Sequence, residues 1–106
     1  MKLCHLTVCT FVHTIRGVGV EWDEGKANAN LRKHGVGFAE AITVFSDRRA
    51  VTLDDDRHVE PRHITIARDS LGRLLVVIFT FRRARIRLIS ARCATARERR
   101  IYEEGL

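Results

Sequence analysis

Proline, cysteine and lysine are all scarce in this chain of 106 residues, which has one proline, three cysteines and three lysines. Cysteines at positions 4, 9 and 93 are too few and too scattered for a disulfide framework, and an odd, unpaired set fits a reducing cytoplasm. Cys4 and Cys9 do not stand at zinc-site spacing. The nearby His5 and His13 make a metal site imaginable but do not define one, so neither metal nor cofactor is expected. One proline and a hydrophobic fraction of 45% exclude a disordered or proline-rich chain. No run approaches the roughly 20 apolar residues of a membrane helix, which excludes a spanning segment of that kind. Residues 1–15 (MKLCHLTVCTFVHTI) are mildly apolar after a single lysine, but His5 and His13 interrupt them and no clean small-x-small cleavage site follows. They read as part of an N-terminal extension over 1–17, or as an additional edge strand, ahead of a single domain over 18–106.

What the chain has instead is arginine, placed unevenly. Sixteen of the nineteen cations are arginine, a bias that suits planar, bidentate contacts to phosphate or carboxylate and that a GC-rich genome also produces. Between Leu74 and Tyr102 stand eight arginines and one acid, Glu98, a balance of +7; the rest of the chain has eleven cations against twelve acids, −1. This basic segment is also rich in Val, Ile and Phe, so it is a folded basic surface and not a basic tail. The commonest partner of such a surface is a phosphate backbone.

The pattern predicts an α+β fold in the order β-α-α-β-β-β-β-α, an antiparallel sheet with two N-terminal helices and one C-terminal helix packed on it. Residues 17–22 form a short strand. Asp23 then caps a helix over Glu24–His34, which Gly35 stops. A second helix over Phe38–Phe45 places Phe38, Ala41, Ile42 and Phe45 on one stripe. From Arg48 the period becomes two, with strands over Arg49–Leu53, Arg62–Arg68, Leu74–Phe81 and Ile86–Ala91. Leu74–Phe81 is apolar on both faces and is expected at the centre of the sheet. Arg82–Arg85 forms a tight basic turn. Thr95-Ala96-Arg97-Glu98 reads as a capping box that opens a final helix through Tyr102 to Glu104.

Several groups could carry chemistry. Lys26, Asn30 and Lys33 recur at helical spacing and form a polar stripe expected to face solvent, with Ala27 and Leu31 turned to the core. The stripe could grip phosphates or simply be a solvated helix face. His34 could move protons near neutral pH or bond the last helix carbonyls. Arg87 shares a strand face with apolar neighbours and needs a carboxylate or a ligand. Glu98 could be a base or only part of the capping box. Tyr102, four residues on, could stack on a base, donate a proton or pack on the sheet. Arginine-rich α+β domains can cleave RNA without metal: a base takes the 2′-hydroxyl proton, cations hold the phosphorane charge and a donor serves the leaving oxygen.

Val20-Glu21-Trp22-Asp23-Glu24-Gly25-Lys26, Asn30, Lys33-His34-Gly35-Val36 and Phe38-Ala39-Glu40-Ala41 resemble the BrnT toxins of bacterial type II toxin–antitoxin pairs. So do Gly72-Arg73-Leu74-Leu75, Arg87-Leu88-Ile89-Ser90-Ala91-Arg92 and Glu98-Arg99 with Tyr102. The resemblance implies a RelE-like fold and an endoribonuclease that slows translation and growth. It also implies a BrnA-like ribbon-helix-helix antitoxin, whose complex with the toxin reaches operator DNA. Lys26, Asn30, Lys33, His34, Arg62, Arg87, Arg92, Glu98 and Tyr102 match the family's polar pattern without the resemblance saying which does the chemistry; by side-chain type Arg87, Arg92, Glu98, Tyr102 and His34 are the candidates for catalysis, and Lys26, Lys33, Asn30 and Arg62 those for holding RNA. Arg85 and Arg99 join the second group by position and charge. A non-catalytic module that binds nucleic acid or an acidic partner through the same arginines is the competing reading.

Overall fold

The computed structural model describes residues 10–15 and 17–105. Its elements, in chain order, are β1 (Thr10–Ile15), β2 (Val18–Asp23), α1 (Glu24–His34), α2 (Phe38–Ala41) with a 3₁₀ turn over Ile42–Ser46, β3 (Val51–Asp55), β4 (Arg62–Arg68), β5 (Leu74–Arg82), β6 (Arg85–Cys93) and α3 (Ala96–Glu104). One six-stranded sheet runs in the order β1-β2-β6-β5-β4-β3. The class is α+β, but the sheet is mixed and not antiparallel throughout. β2 lies parallel to β6, with Val20 opposite Ile86 and Glu21 opposite Arg87. Two residues pair there because the chain leaves β2 at Asp23 to enter α1. β1 joins outside β2 as an antiparallel edge strand. Cys4, His5 and Cys9 lie outside the described residues.

Helix ends follow the local chemistry. The Asp23 side chain accepts the Lys26 amide at 2.9 Å, and Gly35, at φ +70°, sends its own N–H to Leu31. At α3 the capping box is complete: Thr95 accepts the Glu98 amide at 3.2 Å and Glu98 accepts the Thr95 amide at 2.8 Å. The expected second helix tightens after Ala41 into the 3₁₀ turn, yet its stripe still packs inward. The strand expected over Arg49–Leu53 sits two residues later.

β5 is the central strand of the meander and feeds a core on each face. Leu75, Val77 and Phe79 meet Val20, Trp22, Phe38, Val44 and Leu88 beneath α1 and α2. Leu74 and Val76 meet Ile66 and Tyr102 beneath α3. α1 is turned differently from the expectation. Leu31 is half exposed, and Asn30, expected at the surface, is buried. The cause is the open edge of β6. Past Arg87 that edge has no strand beside it, and the Asn30 amide takes the strand's place: Oδ1 accepts the Ala91 N–H at 3.1 Å, and Nδ2 donates to the Ala91 carbonyl at 2.8 Å and to the Val36 carbonyl at 2.9 Å.

The β5–β6 hairpin turns through Arg83 and Ala84, at φ +54° and +68°. Two left-handed residues are what a two-residue hairpin turn requires, but neither is glycine, and each left-handed position costs about 1–2 kcal/mol. Ala84→Gly should therefore raise stability by about 1 kcal/mol, read as a higher denaturant midpoint at unchanged slope.

Candidate active site on the open sheet face

α3 covers one end of its face of the sheet. The other end, towards the β5–β6 hairpin, carries a row of polar side chains across five strands. Asp55 of β3 is opposite Arg62 of β4, Thr80 of β5 is opposite Arg87 of β6, and Arg87 is opposite Glu21 of β2. Arg62 and Thr80 stand one step beyond the His63–Phe79 pair, so the row is continuous. The alternation on each strand dictates it: Val20 and Trp22 point to the helix-side core, so Glu21 between them points the other way, and Leu88 does the same for Arg87.

Glu21 is the centre of this row. Its buried carboxylate accepts Arg87 Nη1 at 2.7 Å and lies 3.4 Å from Arg85 Nη1. Glu21, Arg82, Arg83 and Arg85 line a cleft of about 680 Å³. Arg82 is held only loosely by Glu60, at 3.8 Å. On the β4 side, Asp55 turns away from Arg62 to a two-bond pair with Arg57, which holds its carboxyl well below the usual carboxylate range. Arg62 is left with Nε buried and without a hydrogen-bond partner. A buried donor in that state costs about 1–3 kcal/mol unless a ligand satisfies it.

The sequence candidates fall into three places. Arg85 and Arg87 meet at Glu21, while Arg62 lies on the same face three strands away across the sheet, about 14 Å from Glu21 at the usual strand spacing. Arg92 and Glu98 form a second, separate unit about 15 Å further along β6, at its usual rise per residue. There Arg92 Nη1 and Nη2 donate to both Glu98 oxygens at 2.8 and 2.7 Å. The Arg92 guanidinium, with the Thr95 amide, brings the Glu98 pKa down from 4.5 to about 2. Because the folded-state value is depressed, the stability this pair supplies is complete above about pH 4.5 and is lost as pH falls towards 2. Glu98→Gln should therefore flatten the acid limb of the wild-type stability curve, checked by melts between pH 2 and 7.

Tyr102 donates its hydroxyl to Asp47 at 2.8 Å and lies under the Arg68 guanidinium, 5.6 Å from the ring centroid. Burial first, then the Asp47 carboxylate, raises its phenol pKa. On α1, Lys26, Lys33 and His34 border a small cleft of about 230 Å³ against Ile89 and Ser90 of β6. Ser90, opposite Ile78, shares the open face with Arg87 and Arg92, so the cleft lies at the β6 edge that this face meets. Asn30 holds the cleft's floor through the backbone bonds described above. Arg99 is exposed on α3 and joins none of these groups. Glu21 was absent from the sequence candidates; the signal was the Val-Glu-Trp alternation, which puts an acid on the face that Arg87 shares.

A family model described as the ribonuclease toxin, BrnT, of type II toxin–antitoxin systems matches residues 22–98. The chain belongs to this family. The 1.1 Å crystal structure of the Brucella abortus ribonuclease toxin, BrnT, is similar in fold, with a TM-score of 0.53 and 26% identity over 70% of this chain and 92% of that one. No curated protein matches. Membership makes the chain a ribonuclease toxin, with RNA as substrate and an antitoxin as partner. The matched segment starts at Trp22 and ends at Glu98, and so contains α1, the whole β3–β6 meander and the Arg92–Glu98 pair. Among the described residues no helix is long and apolar enough to cross a membrane.

Proposed function

We propose that the chain is a RelE-like, metal-independent endoribonuclease that halts growth by cutting RNA on the open face of its sheet. The observation that carries this reading is the buried carboxylate of Glu21 set among Arg82, Arg83, Arg85 and Arg87, more cations than it can neutralise. A phosphodiester supplies the missing negative charge. Glu21 takes the proton of the 2′-hydroxyl as that oxygen attacks the adjacent phosphorus. The bond from phosphorus to the 5′-oxygen breaks, and the leaving oxygen takes a proton from a water that regains one from the protonated Glu21. Arg87 and Arg85 hold the charge that builds on the phosphorane oxygens, and Arg62, two strands beyond Arg87 on the same face, offers its free Nε to a neighbouring phosphate of the RNA. The products are a 2′,3′-cyclic phosphate and a 5′-hydroxyl.

In this reading the base is Glu21 and not Glu98. Glu98 is locked in a short two-bond pair with Arg92, also accepts the Thr95 amide, and its low pKa makes it a weak proton acceptor, whereas Glu21 has one short bond, to Arg87, and a long one, at 3.4 Å, to Arg85. The Tyr102 hydroxyl is committed to Asp47. Glu98, Arg92 and Tyr102 accordingly hold α3 in place, while Lys26 and Lys33 attract the strand from the rim. His34 is left beside them as a rim residue. A BrnA-like ribbon-helix-helix antitoxin is the matching partner, covering the basic face with acidic groups and carrying the toxin to operator DNA. The test is incubation of the purified protein with single-stranded RNA, with and without EDTA. Cleavage that persists in chelator and vanishes in Glu21→Gln supports the reading. RNA that is bound but never cut supports a binding module instead.

A further inference from the structure

Phe81 sits at the end of β5, next to the arginine turn, and is 55% exposed. It is the only aromatic side chain among the large exposed apolar residues described. The ring is not loose. His63 packs against it at 5.2 Å between centroids and Phe79 at 5.8 Å, both close to edge-on. His63 is itself fixed by Asp54, 2.8 Å from its Nδ1. A ring braced from behind and open in front offers a preformed π-face.

Its position explains what that face would meet. Phe81 is opposite Ile86 and Arg82 is opposite Arg85, so alternation puts the ring on one side of the hairpin end and the two guanidiniums on the other. Arg83 stands at the tip, in a left-handed conformation that holds the turn tight. An aromatic face at the same hairpin end as half-exposed, weakly paired arginines is a combination suited to single-stranded nucleic acid, with bases stacking and phosphates paired to cations. We propose that Phe81, braced by His63, is the stacking platform for one unpaired nucleobase of the RNA, next to the nucleotide whose phosphate enters the Glu21 cleft. The inference rests on the cleavage reading above and adds to it a binding site for a base. The RNA strand then rounds the hairpin end, with its backbone on Arg82, Arg83 and Arg85.

The test is binding and cleavage of a short single-stranded RNA by Phe81→Ala, Phe81→Leu and Phe81→Trp proteins. Loss of one stacked base should weaken binding by about 5- to 150-fold in the Ala and Leu variants. Phe81→Trp should bind as wild type, with its indole fluorescence quenched by RNA over the signal of the buried Trp22. An RNA with a single abasic position placed over the ring should lose affinity for wild type and nothing further for Phe81→Ala. Leu keeps an apolar side chain there, so the proposal stays testable should the Ala variant fail to fold. Wild-type RNA affinity in the folded Leu variant, or weakened antitoxin binding with unchanged RNA binding, overturns the proposal. Those outcomes leave cleavage by wild type intact, whereas failure of the cleavage reading removes products from every variant.

Discussion

Replacing Arg87 by alanine should lower the rate of RNA cleavage at saturating substrate by about 10²–10³-fold, the usual effect of removing one preorganised donor to transition-state charge. The guanidinium lies 2.7 Å from Glu21 and shares the open face with Thr80 and Ser90, so it can bridge the base and the phosphorane. Its loss also leaves the Glu21 carboxylate with only Arg85, at 3.4 Å, and so costs stability, about 1–3 kcal/mol. Rates must therefore be taken well below the melting point of the variant, with near-ultraviolet circular dichroism to show that the fold is kept. The two effects separate cleanly, because destabilisation lowers the active fraction whereas loss of transition-state stabilisation lowers kcat in a fully folded sample. Arg87→Lys should recover little, since an ammonium cannot reach Glu21 and a phosphate oxygen together as a planar fork does. A folded Arg87→Ala protein cutting within about threefold of the wild-type rate, far short of the loss one such donor carries, would place the chemistry elsewhere.

The second large effect is on folding. Asn30→Ala removes three hydrogen bonds at once and leaves the Ala91 N–H, the Ala91 carbonyl and the Val36 carbonyl buried without partners. At about 1 kcal/mol or more for each, the expected loss is about 2–4 kcal/mol. For a domain of this size that lowers the melting temperature by about 10–25 °C. Asn30→Asp should be no milder at neutral pH, because its carboxylate would face two carbonyl oxygens. It should regain stability as acid protonates it, the opposite of the wild-type acid response set by Glu98. Thermal melts at pH 7 and pH 4 distinguish the two variants. A loss under about 0.5 kcal/mol for Asn30→Ala, the size of an ordinary surface change, would mean that the β6 edge does not need the amide.

These two residues mark how far the sequence could be read. Helix ends were legible because their chemistry is local: Asp23, Gly35 and the Thr95–Glu98 box act within four residues of themselves. The β4–β6 meander was legible because the period of two survives along Arg62–Arg68 and because β5 is apolar on both faces. The family motif was legible as residue types at fixed spacing. The direction of β2 was not, because alternation fixes which side chains share a face and says nothing of which strand lies alongside or which way it runs. The partner of Arg87 was hidden for the same reason, since Glu21 is 66 positions away in sequence. Spacing correctly put Lys26, Asn30 and Lys33 on related turns of α1. Which of the three is buried depends on where β6 loses its neighbour, a tertiary fact. Leu31 shows the converse: helical spacing marked it for the core, but the sheet takes the Asn30 side of the helix instead. The 3₁₀ turn after Ala41 kept the apolar stripe and changed only the hydrogen-bond pattern, to which a stripe is blind.

The most direct test of the account uses an oligonucleotide that is DNA except for one ribonucleotide, incubated with the purified protein in EDTA. Attack by a 2′-hydroxyl activated at Glu21 predicts one cut, on the 3′ side of that ribose, leaving a 2′,3′-cyclic phosphate and a 5′-hydroxyl, with no product from Glu21→Gln. Cleavage of the all-DNA strand, a requirement for added metal, or ends carrying a 5′-phosphate would contradict it.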